Sequence, residues 1–404
     1  MVSTLAVVLL ALGLFGLTLP LALYPALVTL VALVAGRGGE AGRQPPTAPF
    51  PAFSVVVAFR GGGELLRQKM ADLLALEAAH GSFSALFCSD GPFDEALDLP
   101  APFAEGRWRM LETATPAGKN QALNRAIAVA DTDLLVFTDL DSKVSPASLR
   151  ALLAPFADGS VGAVCGQRRI AAESDDLAAA QAGYINWDSR IKLAESRLGY
   201  LTSNDGKLYA VRRACLRELP GPVTDDLYNA LSTVQAGLRV AFAPEALAKI
   251  AKPSRDAGHE LTRRRRVTAR SLYGLWLNRN LFNPLTRPLT RPLTRGGFAV
   301  ALFINKVMRR LVPVFGLLAL LGLAVAAGVW PLAAWGLVAA GAFLAFGLAS
   351  PLLERLKAPG VFRKVSRLIF YALLGNLGML LGLLDFLAGK RVSHWTPRKS
   401  DAKV

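Results

Sequence analysis

No charged residue separates Met1 from Arg37, and residues 3–35 are almost wholly apolar. A run of that length satisfies its backbone inside a bilayer only as a helix, which sets the architecture of the amino terminus before anything else is read. Its length, the missing basic start and the lack of a small-residue cleavage site distinguish it from a secretory signal. Two further apolar regions follow, at 311–349 and at 368–387, the second with one internal acid, Asp385. The chain therefore reads as an integral, multi-pass membrane protein.

Residues between 37 and 296 have ordinary globular composition, enough for one sizeable domain. Lys and Arg number 46 against 30 Asp and Glu, a net charge of +16. The excess lies at 263–266, at Arg287, Arg291 and Arg295, at Lys306, Arg309 and Arg310, and over 355–367. Clusters that flank apolar spans fit the positive-inside rule and anionic lipid headgroups better than nucleic acid. The globular domain is thus expected on the cytoplasmic face of the plasma membrane, with membrane lipids and no nucleic acid among its partners. Cys88, Cys165 and Cys215 form no close pair, which argues against a disulfide framework and a zinc site.

From Phe53 an α/β rhythm begins. Strands are expected over 54–59, 83–88, 133–138 and 207–211, and helices over 64–79, 119–130, 181–199 and 225–237. Strand and helix in alternation imply a mainly parallel, doubly wound sheet whose ligands gather beyond the carboxyl ends of the strands. Asp90 and the pair Asp139-Leu140-Asp141 stand at two such ends. Two crowded carboxylates repel unless a cation lies between them, and Mg²⁺ or Mn²⁺ would also carry the phosphates of a nucleotide. The plain alternative is a solvated turn that closes a strand. Further on, Pro-Leu-Thr-Arg repeats three times over 284–295, and prolines at that period predict an extended basic strap. Residues 298–311 read as a helix in the membrane interface, Phe298, Leu302, Phe303 and Val307 on one side and the basic residues on another, or as an amphipathic helix packed on the core.

Several motifs recur in a fixed order: Lys119-Asn120…Asn124, Asp139-Leu-Asp141, Asn204-Asp-Gly206, Thr224-Asp225-Asp226 and Arg263-Arg-Arg-Arg266-Val267. In that order the chain resembles the membrane-bound family-2 glycosyltransferases, which include cellulose, chitin and hyaluronan synthases. The resemblance implies a GT-A fold, an α/β, Rossmann-like nucleotide-diphospho-sugar transferase domain, flanked by transmembrane helices. It implies the following organisation: a transmembrane helix at 1–36, a linker at 37–52, the catalytic domain at 53–280, a basic strap and interfacial helix at 281–312, a membrane region of two to three spans at 313–389, and a basic tail at 390–404.

The resemblance also assigns roles. Asp141, with Asp139, would hold the metal and diphosphate; Asp90 would meet the base and ribose; Asp226 would be the general base; Arg266 would meet the diphosphate. Lys119 adds positive charge near the phosphates or merely opens a helix on the surface. Relatives carry Arg-Asn-Glu-Glu after the first strand, where this chain has Arg60-Gly-Gly-Gly-Glu64, so Arg60 is kept and Glu64 stands in for a displaced acid. Processive members carry Gln-x-x-Arg-Trp, and the Gln and Trp are missing here. The expected activity is inverting, metal-dependent transfer from a nucleotide-diphospho-sugar to a lipid-linked or glycan acceptor, in glycolipid or polysaccharide synthesis of a bacterial envelope. A processive synthase, a non-catalytic scaffold of the same ancestry and a transporter are the alternatives. If 313–329, 331–349 and 368–387 all cross, the basic tail lies opposite the domain, against the positive-inside tendency; the alternative is that 368–387, interrupted by Gly375-Asn376-Leu-Gly378, is re-entrant.

Overall fold

The computed structural model describes residues 2–35, 51–170, 176–250, 257–284 and 292–391. Eight strands form one sheet: β1 Phe53–Phe59, β2 Ser84–Ser89, β3 Trp108–Glu112, β4 Leu134–Thr138, β5 Lys143–Val144, β6 Val161–Ile170, β7 Leu208–Arg212 and β8 Arg239–Ile250. Their spatial order is β3-β2-β1-β4-β7-β6-β8-β5. All seven side chains of β1 are buried, as a strand covered on both faces requires. Val56 and Ala58 enter one core with helix Lys119–Val129; Val55, Val57 and Phe59 enter another with helix Gly63–His80.

The parallel expectation holds for β1 to β4 and for the β6–β8 pair. β7 runs antiparallel between β4 and β6, with Thr138 paired to Leu208. That register brings the residue before β7, Lys207, to the carboxyl end of β4. Strands β3, β5, β6 and β8 were not expected from the pattern. β6 and β8 interleave Gly, Gln, Arg and Lys with their apolar residues, which blurs the two-residue period.

Helix Val2–Thr18 continues through a π-helical turn, Leu19–Leu23, into helix Tyr24–Val34, and Pro20 lies within that turn. The first part runs antiparallel to helix Val312–Ala327: Gly13 meets Ala319, and Gly322 meets Leu9 and Leu10. Side chains would hold these backbones apart, the usual use of small residues between membrane helices. Val2–Val34, Pro331–Leu348 and Gly360–Leu387 are long and apolar enough to cross a membrane; 296–310 and 312–327 form a pair bent by 63°. Helix Gly360–Leu387 is continuous through Gly375-Asn376-Leu-Gly378, so the expected interruption is absent.

Residues 285–291 of the proline repeat lie outside the described residues. Its third copy opens helix Pro292–Leu302, where a first-turn proline is compatible with helix. In the segment that follows, the basic side faces protein: Lys306 donates to Ser203 at 2.8 Å, and Arg309 donates to Asp188 at 2.9 Å and stacks on Trp187. The core-packed alternative therefore describes this face; Phe303, half exposed, points outward.

Candidate active site

Asp139 and Asp141 leave the end of β4 and converge on one cationic atom. Lys207 Nζ lies 3.0 Å from Asp139 and 2.7 Å from Asp141. On the other side, Lys119 Nζ lies 3.0 Å from Asp139 and 3.2 Å from Asp225. Burial alone would raise the Asp139 carboxyl, but Lys119 and Lys207 hold it well below the usual range. Burial opposes charge on both lysines as well, and the carboxylates outweigh it, so both stay protonated. Lys119 is thus a bridge between two acids rather than a surface residue opening a helix.

The helix behind Lys119 explains the Asn residues of its motif. Asn120 donates to the carbonyls of Pro220 and Val223 at 2.7 and 3.1 Å. Asn124 exchanges two hydrogen bonds with Leu219. Together they pin the loop that leads into helix Asp225–Gln235. Thr224 takes the N-cap position with no side-chain capping bond, and Asp225 turns to Lys119 and to Tyr209, whose hydroxyl is 3.1 Å away. Asp226 keeps one oxygen on its Leu227 N–H at 2.8 Å, and a Cβ on Gly206 would stand 3.5 Å from the other. Burial first, then the Asp225 charge, pushes the Asp226 carboxyl above its ordinary value. An acid so placed takes up a proton more readily than an exposed one.

Asp90 follows β2. Its Oδ1 accepts from the amides of Ala117 and Gly118, both at 2.7 Å, while its buried Oδ2 has no hydrogen-bond partner and stands 3.9 Å from Arg60. A buried carboxylate oxygen without a donor suits a ligand N–H or O–H. Glu64 does not join this group. It is exposed and pairs with Arg67 at 3.2 Å and Gln68 at 3.0 Å along its own helix. The Gly63 amide instead donates to Glu95.

The arginine run fans out around helix Ala257–Leu277. Arg263 and Arg264 close on Glu260 and Arg265 on Asp385, so these three do not form a lipid-facing patch. Arg266 is half-buried on the helix face of Arg270, one turn on, which donates to the Gly221 carbonyl at 2.8 Å and lies in the field of Asp225 and Asp226. Lys207, Lys69, Tyr209 and Arg270 are the site residues that sequence reasoning passed over. No motif marks Lys207, Lys69 or Arg270, none of the four carries a role legible from its type alone, and their place follows from sheet register and helix packing.

Lys69 lies beneath the pair, donating to the Ser142 carbonyl at 2.6 Å and to Thr138 at 3.3 Å; burial lowers its pKa to about 8. Lys69→Met leaves a buried carbonyl unpaired and is expected to cost about 1–3 kcal/mol. Thermal unfolding that matched the parent would rule this support role out.

Among the described residues no group of three or more His, Cys, Asp or Glu could hold a metal unaided. The pair nonetheless fits a hard divalent cation. Both carboxylates already share one cation position, and a nucleoside diphosphate would supply further oxygen ligands.

A half-parallel sheet with a carboxylate pair beyond β4 and an acid-bearing helix beside it defines a GT-A glycosyltransferase. The family described as Glycosyltransferase like family 2 matches residues 51–274, more than half of the chain, and the chain belongs to that family. A solved mannosyltransferase from Pyrobaculum calidifontis, in complex with GDP-Man and Mn²⁺, superimposes with a TM-score of 0.67 at 20% identity, covering 96% of this chain and all of that one. An N-acetylglucosaminyltransferase of Neorhizobium galegae is 22% identical over 253 residues, 58% of each chain. An uncharacterised protein of Mycobacterium tuberculosis (strain CDC 1551 / Oshkosh) is 27% identical over 127 residues, 31% of this chain and 39% of its own length. The chain thus spans less than two thirds of either curated relative.

Proposed function

We propose that this glycosyltransferase is inverting and metal-dependent, and moves a sugar from a nucleotide-diphospho-sugar to a lipid-linked or glycan acceptor at the cytoplasmic membrane face. The observation that carries the reading is the convergence of Asp139 and Asp141 on one cation position, linked through Lys119 to the helix of Asp226. Mg²⁺ or Mn²⁺ held by Asp141 and Asp139 would offset charge growing on the leaving diphosphate. Lys119 and Arg266 add fixed positive charge on the same side, and Asp90, with Arg60 beside it, offers to the base and ribose the oxygen that lacks a hydrogen-bond donor. Asp226 takes the proton of the attacking hydroxyl. A single carboxylate acting from the far side of the sugar inverts the anomeric centre, the geometry that inverting hydrolases use with water. The mannosyltransferase solved with GDP-Man and Mn²⁺ supports the donor class and the metal.

The absent Gln and Trp of the processive motif favour one or a few additions to a lipid-linked acceptor over polymer synthesis. The test is purified protein with a panel of nucleotide sugars and Mg²⁺ or Mn²⁺, the anomeric configuration of the product read by NMR. Transfer with inversion to short products is expected. Retention would remove the single-base mechanism, and long polymer would remove the short-product reading.

A further inference from the structure

By length and composition Gly360–Leu387 qualifies as a span. Its neighbours say otherwise. Helix Val2–Val34 reaches the catalytic domain at its carboxyl half: Tyr24 donates to Glu195 at 2.7 Å, and Val28 and Ala32 join Ile191 and Met308 in one cluster. Helix Val312–Ala327 runs back antiparallel to it, so its end lies on the far side of the bilayer. Helix Pro331–Leu348 then returns, with Gly336 against Leu323 near that far side. Its end, Gly347, therefore comes back toward the domain side, and there it meets Ile369 and Leu373 of helix Gly360–Leu387.

From that point the last helix runs onto the catalytic domain. A Cβ on Gly378 would stand 2.7 Å from the Arg264 Cβ and 3.0 Å from the Leu261 carbonyl, and one on Gly382 would collide with the Arg265 carbonyl. Asp385 takes Arg265 in a two-point ion pair at 2.5 and 2.8 Å, and Leu383 and Phe386 pack against the domain core. Arg391, just past the helix, stacks over Tyr273 at 4.0 Å. Had the helix crossed, Asp385 would emerge about 30 Å from Arg265, on the other face.

The helix also has two unlike sides. Arg363, Arg367, Tyr371, Gly378, Gly382 and Asp385 share one stripe, which meets the domain at its carboxyl half. Phe362, Ile369, Leu373, Leu377, Leu384 and Leu387 form the other; it is apolar, touches the end of helix Pro331–Leu348, and leaves Phe362, Leu377, Leu384 and Leu387 exposed. Exposed Arg355, Lys357 and Lys364 flank its start.

We propose that helix Gly360–Leu387 lies on the lipid surface at the catalytic face instead of crossing. Its apolar stripe enters the headgroup boundary, its basic start meets headgroup phosphates, and its glycine seat holds the arginine helix of the active site against the membrane. The chain then crosses three times, and Lys390 and Arg391 share the catalytic side. This satisfies the positive-inside tendency and does not depend on the chemistry of sugar transfer.

The native cysteines are buried, so introduced ones report alone. A spin label on Leu377→Cys, in vesicles of phosphatidylcholine and phosphatidylglycerol, is expected about 5–10 Å deep, at the headgroup boundary. In sealed vesicles an impermeant maleimide is expected to modify Lys390→Cys in the same orientation as Lys143→Cys on the catalytic domain, and Val329→Cys in the opposite one. A label at the bilayer centre, or Lys390→Cys reacting with Val329→Cys, would overturn the proposal.

Discussion

Asp226→Asn is expected to lower kcat by about 10²–10⁴-fold, the usual contribution of a positioned general base, with donor KM little changed. The same substitution should leave the fold more stable at neutral pH. Burial and the Asp225 charge raise the Asp226 carboxyl in the folded protein, so its ionisation is harder there than in the unfolded chain. Below about pH 3.9, the ordinary aspartate value, the group is protonated in both states and costs nothing. As pH rises through the raised folded value, the unfolded chain gives up its proton first and stability falls. Asparagine removes that loss, so the variant's Tm exceeds the parent's at pH 7 and equals it below about pH 3.9. In the parent, kcat/KM should rise with pH through the same raised value, because only the ionised carboxylate accepts a proton. Loss of turnover with a lower Tm would mark Asp226 as a structural residue, and unchanged turnover would remove it from the reaction.

Which parts of this arrangement are legible in the sequence follows from how local each one is. Asp139 and Asp141 close an apolar run, and Asp225 and Asp226 open a helix, so pattern alone places all four. The two Asn residues after Lys119 are visible as a motif, but their work is not: they grip a loop about a hundred residues away. Lys207 looks like no more than the first residue of the expected strand at 207–211, and it reaches the carboxylates only because β7 pairs antiparallel with β4. Glu64 misleads in the other direction. It looks like a stand-in for a family acid displaced by the glycines, yet the local helix offers it Arg67 and Gln68 one turn away. The glycines at 375 and 378 look like a break in an apolar helix, while Gly378, with Gly382, is a seat for a neighbouring backbone. Small residues serve both purposes, and only the packing partner distinguishes them.

Opposite effects on metal affinity are expected from the two partners of one ion pair. Lys207 Nζ sits between Asp139 and Asp141, so its ammonium and a divalent cation compete for the same oxygens. A cation of twice the charge at that point gains more from both carboxylates, and the nucleoside diphosphate adds ligands that Lys207 cannot use. Lys207→Met removes the competitor and should tighten Mn²⁺ binding in the absence of donor. Asp141→Asn removes one of the two anions while Lys207 keeps its place beside Asp139. It should weaken Mn²⁺ binding and lower turnover by about 10²–10³-fold, as loss of one electrostatic stabiliser of a developing anion does. Titration of the free-ion Mn²⁺ EPR signal reads affinity without turnover, which separates a metal effect from any fault in acceptor binding or in Asp226. Equal affinities in the two variants would mean that the pair holds only lysines, and that the diphosphate is met by Lys119 and the arginine helix alone.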